Sequence, residues 1–234
     1  DMAFSPAKAH FLRVTAAQEA AATAPHQGME GANAYELQLA QLYQDRSRLK
    51  NIQSGEGKAA LKVELLPAYQ PYISGVLQAG KGAQDEVITT VMLWRIDAGD
   101  YAGALDIADY VLAHDLVMPD RFARTAGCVI AEEIAEAALK AQKTGGSFDL
   151  ATLHRTLLLT DQADMPDEAR AKLYLAAGHA TLEGLSVESP GQPGQVQAGI
   201  DLLKRAIQLH DKCGGKKDLE AAERLQKKLT ASGG

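Results

Sequence analysis

The chain has 234 residues and a mass of 24.9 kDa. Its 46% hydrophobic, 23% charged and 5% aromatic content suits one or two packed domains. Acidic residues outnumber basic ones by 30 to 24, for a formal charge of −6, which excludes a uniformly basic nucleic-acid coat. No apolar run approaches the roughly 20 residues of a spanning helix, and the opening DMAFSPAKAHF lacks a secretory pattern, so no membrane partner and a cytoplasmic location are expected. Asp1 ahead of Met2 reads as a remnant outside the natural start. Cys128 and Cys213 lie far apart without CxxC spacing and read as buried or inert thiols.

In chain order, residues 6–24 are Ala-rich, with Ser5 as a possible N-cap and Pro6 in the first turn, which predicts a short helix. PHQGMEGAN at 25–33 reads as a flexible linker, so residues 1–32 are expected to form a helical arm. Asn33 can cap a helix whose Tyr35, Leu39, Leu42 and Leu49 form a narrow apolar stripe, the candidate oligomerisation seam. The SGEG turn at 54–57 leads to a second helical stretch over 58–66, interrupted by Pro67 and Pro71. Residues 33–82 thus form a basic αα-hairpin, too small to bury much surface without partners.

Charge divides near Gly82: residues 1–82 hold 8 basic and 7 acidic residues, residues 83–234 hold 16 and 23. The basic footprint comprises Arg46, Arg48, Lys50, Lys58 and Lys62, to which the first helix adds Lys8, His10 and Arg13. These eight are the candidate DNA-binding residues, with a solvated helix face as the plainer alternative.

From residue 83 onward the pattern is helical throughout: 83–97, 101–114, 125–143, 149–162, 167–184, 196–210 and 216–230, punctuated by Gly and Pro. No alternating strand stands out, and the predicted class is all-α. GDYAGALDIADYVL and AGIDLLKRAIQLH share the small-residue spacing of tetratricopeptide-type hairpins, so 83–234 is expected to form a repeat-like layer. Small residues at close helix crossings in general give the same pattern.

Chemistry-bearing motifs are sparse. Gly75–Lys81 fits G-x-x-x-x-G-K, but Gly82 stands where a magnesium-binding hydroxyl belongs and two prolines precede it, which favours a helix end. Asp85 and Glu86 suit the first turn of a helix, and Glu132, Glu136 and Lys140 suit an i,i+4 charged face. The six histidines form no metal motif, and no nucleophile signature occurs, so no catalytic residue, metal or cofactor is assigned. Trp94, within VMLWRI, reads as core.

GKGAQDEVITTVMLWRIDAGDYAGALDIADYVLAHDLVMP, residues 80–119, resembles the small terminase subunit of P2-like tailed bacteriophages. SPAKAHFLRVTAAQEAA, YELQLAQLYQDRSRLKNIQS, KAALKVELLPAYQPYISGVL and ADMPDEARAKLY extend the resemblance over nearly the whole chain. It implies an α-helical, ring-forming protein that recognises cohesive-end sites in double-stranded viral DNA. Such a protein works with a large ATPase subunit to fill the procapsid, in the host bacterial cytoplasm. The family is commonly labelled the endonuclease subunit, a word that fits the complex better than this chain's residues. Members continue into a Lys/Arg/Pro-rich tail, whereas this chain ends at Ser232-Gly233-Gly234, so it is either trimmed or short. The acidic region beyond Gly82 is the expected dock for the large subunit or the portal. A metal-dependent endonuclease and a protein-interaction scaffold without DNA contact are the rival readings.

Overall fold

A computed structural model describes residues 5–119 and 123–232. Among them are ten α-helices and no strand beyond one isolated bridge, Gly28 to Gln84, so the chain is all-α. Contacts divide it into two compact units, Asp1–Ala126 and Gly127–Gly234.

In the first unit α1 (Pro6–Ala22), α2 (Asn33–Lys50) and α4 (Glu86–Asp97) all pack on the long α3 (Gly55–Ala79), and α5 (Tyr101–Ala113) packs on α4. Ser5 caps α1, accepting from the Lys8 amide at 3.3 Å. Composition gives α1 alanines where a tight seam needs them. Ala16 and Ala20 are fully buried, and a Cβ on Gly75 of α3 would lie 2.2 Å from the Arg13 carbonyl oxygen. Backbone thus approaches backbone closely, and α1, expected as an arm, lies packed along α3.

The segment between α1 and α2, which composition reads as a flexible linker, is pinned beside residues 82–84. The His26 amide donates to the Gly82 carbonyl at 3.0 Å, the Gln84 amide donates to the Gln27 carbonyl at 2.8 Å, and Met29 is buried. Asn33 is not the cap of α2 but its first residue, and an orphan donor of the helix is met from another helix, Glu19 Oε2 accepting from the Ala34 amide at 2.9 Å.

Helix α3 runs through Pro67 and Pro71 instead of stopping before them. Proline removes one amide and crowds the carbonyl four residues back. Pro67 and the exposed Val63 four residues before it sit on the solvent side, where water can take the freed carbonyl. The helix ends at Gly80, whose φ of +63° is the left-handed C-cap, so the G-x-x-x-x-G-K stretch is a helix terminus. Gly82, at φ +74°, leaves no room for a side chain, since a Cβ would lie 2.6 Å from the His114 ring.

The second unit contains α6 (Ala126–Lys143), which begins at the boundary, α7 (Leu150–Leu159), α8 (Asp167–Leu182), α9 (Gln195–Leu209) and α10 (Lys216–Ser232). Small residues set the α8–α9 crossing, for a Cβ on Gly178 would meet Leu203 at 2.7 Å and one on Gly199 would meet Leu182 at 2.4 Å. Leu175, Leu203 and Ala206 form one core cluster, and Val196, Ile200 and Ala222 form the seam with α10. His179 ties three helices, bonding Gln142 at 3.2 Å through Nδ1 and Asp218 at 3.0 Å through Nε2. Glu136 pairs with Lys172 of α8 at 3.2 Å, across helices, where the sequence suggests Lys140 along its own helix.

Candidate nucleic-acid interface

The eight basic candidates sort into engaged and free groups. Arg46 is locked into the first unit: Nη1 meets Glu86 at 2.6 Å, Nη2 donates to Thr90 at 2.9 Å, and its Nε is buried without a partner. Lys62 is paired with Asp97 and its side chain is 14% exposed. Arg48 bonds Asp45 at 3.3 Å and Glu64 at 3.6 Å while remaining half exposed. Arg13 reaches Gln78 at 3.5 Å and His10 Nδ1 at 3.3 Å.

Lys8, Lys50 and Lys58 carry no ion pair among the described residues. Lys50 is the last residue of α2 and Lys58 stands in the first turn of α3, so these two flank the hairpin turn. Sequence clustering alone could not separate them from Arg46 and Lys62, whose partners lie 40 and 35 residues away.

Of the apolar stripe, Tyr35, Leu42 and Leu49 are buried within the subunit and Leu39 is partly buried. Exposed on the hairpin are Leu37, Tyr43 and Val63 instead. The stripe's spacing was legible as a packing face; which helix it packs against was not.

Two buried carboxylates tie helices of the first unit together. Asp45, 1% exposed, accepts from Tyr69 Oη at 2.7 Å, Gln41 at 3.0 Å and Arg48. Asp85 is the N-cap of α4, accepting from the Ile88 amide at 3.0 Å and from Tyr72 Oη at 2.6 Å. Complete burial pushes its carboxyl up to about 6 from 3.8, even though the hydroxyl and amide donors pull the other way. Burial and the adjacent carboxylates likewise raise the Tyr69 and Tyr72 phenols, so both stay neutral donors. Trp94 packs edge-on against Tyr69, with centroids 5.9 Å apart. Neither aspartate was among the basic or apolar residues that sequence reasoning favoured. Asp85 had a signal in its place before an apolar helix.

Between α1 and α2 lies a groove of about 720 Å³, with Ala68 of α3 beneath it. Phe11 and Leu37 stand on it 71% and 67% exposed. Among the described residues no group of three or more His, Cys, Asp or Glu is placed to hold a metal ion, and no helix is long and apolar enough to cross a membrane.

The chain is thus an all-α hairpin unit bearing free cations at its turn, followed in sequence by a second helical unit. Residues 39–168 match the phage small terminase subunit family, and the chain belongs to that family. More particularly, it is 45% identical over 220 residues to the "Terminase, endonuclease subunit" of Escherichia phage P2, covering 94% of this chain and 85% of that protein. No solved structure matches.

Proposed function

We propose that the chain is the DNA-recognising subunit of a packaging terminase. It grips cohesive-end viral duplex through phosphate contacts from Lys50 and Lys58 and hands that DNA to a large subunit for cutting and transfer into the procapsid. In this reading it works in the host bacterial cytoplasm. The observation that carries the reading is the pair of unengaged lysines flanking the α2–α3 turn, on a hairpin whose Arg46, Arg48 and Lys62 are engaged with the unit's own residues. Free ammonium groups can displace condensed counterions from duplex, and engaged ones have already found their anions.

Two cations per subunit give weak binding, so the reading includes several copies acting on one duplex, most simply as a ring. Tyr35, Leu42 and Leu49 are occupied inside the subunit, so contacts between copies need another surface. The P2 relative's name assigns an endonuclease role to the corresponding subunit. We place cutting with the complex, because support in this chain is for holding DNA.

The test is titration of purified protein onto cohesive-end and scrambled duplexes at several salt concentrations, with magnesium or manganese added in a parallel series. The expected result is salt-sensitive binding with preference for the cohesive-end site and intact DNA. Absence of binding in dilute buffer rejects recognition, and cutting without the large subunit assigns the nuclease here.

A further inference from the structure

We propose that the groove between α1 and α2, in place of the acidic region beyond Gly82, docks an acidic amphipathic helix of the large terminase subunit. The partner's identity rests on the function proposed above; the chemistry of the occupant is argued from the groove itself.

Shape comes first. Along α1 the groove runs from Ala7 to Thr15, about 12 Å at 1.5 Å per residue, or roughly two helical turns. Helices α1 and α2 already lie on α3, so a helix laid between them would complete a four-helix packing.

Two features then specify what that helix carries. Phe11 and Leu37, 71% and 67% exposed, need apolar side chains to cover them. Lys8 is the one charged residue lining the groove and has no ion pair among the described residues, which calls for a carboxylate. Gln38 is 5% exposed, yet its Oε1 has no hydrogen-bond partner.

The α1 helix of a second copy fits less well. The carboxylate of α1, Glu19, is already used as the cap of α2, leaving Lys8 and Arg13 on that helix. Laying another α1 in the groove sets one basic face against another.

The experiment measures binding of the full chain to the purified large subunit by calorimetry, beside DNA titration and native mass of the same preparations. The variants are F11D/L37D, A68F, which fills the groove without adding charge, and K8E. Phe11, Leu37 and Lys8 are solvent-exposed, and the helical circular dichroism of each variant verifies folding. The expected result is at least about a tenfold weaker complex for F11D/L37D and for A68F, and about three- to fivefold for K8E. DNA binding by F11D/L37D and A68F stays at the wild-type level.

Wild-type affinity of F11D/L37D and A68F for the large subunit overturns the docking site and leaves the proposed function standing. Failure of the wild-type chain to bind the large subunit overturns that reading and the docking site with it. Loss of assembled mass with unchanged large-subunit binding assigns the groove to a second copy and overturns the proposal.

Discussion

Replacing Asp85 with asparagine removes a buried charge while keeping an acceptor for the Ile88 amide and a partner for Tyr72. Burial raises the folded-state carboxyl from 3.8 to about 6. A raised acid binds its proton more tightly when folded, so its contribution is complete below pH 3.8 and is lost as pH rises through 6. A shift of about two units is on the order of 3 kcal/mol, all of it unfavourable to the folded ionised form above pH 6. The D85N variant lacks this term. Its stability relative to wild type should therefore improve by about 2 kcal/mol between pH 4 and pH 7. Trp94 is the sole tryptophan and packs on Tyr69, so its fluorescence during urea unfolding reports the first unit specifically. Wild-type and D85N stabilities that run parallel across that pH range would refute the reasoning, because they would mean that Asp85 titrates as an exposed carboxylate.

G75V forces a side chain into the 2.2 Å approach to the Arg13 carbonyl, so α1 must shift; a loss of about 1–3 kcal/mol in urea unfolding is expected, with faster amide exchange along α1. L42A should cost about 2–5 kcal/mol because Leu42 is fully buried, whereas L37A should stay within about 0.5 kcal/mol; equal effects would contradict the packing of α2. E19A removes the cross-helix cap of α2 and is expected to lower stability by about 1 kcal/mol in the same unfolding assay, with E19Q recovering part of the loss.

Helices were the most legible level. Gly99, Gly145 and Gly214 interrupt the chain where left-handed turns fall, and the alternation of these breaks with apolar periodicity located α4 through α10 to within a few residues. Pro67 and Pro71 misled, because proline's penalty depends on whether its freed carbonyl reaches water, which local sequence does not state. Ala16, Ala20 and Gly75 carry the seam between α1 and α3, but small residues read as flexibility when the partner helix is unknown. The site was legible only as a cluster. Which cations are free depends on pairs such as Arg46–Glu86 and Lys62–Asp97, and contacts that distant are set by the fold. Gln38 and its unmet acceptor carried no sequence signal, since a glutamine in a polar helix looks like surface.

Salt dependence of duplex binding by K50A/K58A, beside wild type and K81A, tests the central claim most directly. Lys81 is exposed beyond the opposite end of α3 and serves as the control. Each lost phosphate contact should reduce the slope of log affinity against log salt by ~0.9, so K50A/K58A is predicted to lose about two such steps per bound subunit while K81A keeps the wild-type slope. An unchanged slope in K50A/K58A, or an equal fall in K81A, would contradict DNA recognition at the α2–α3 turn.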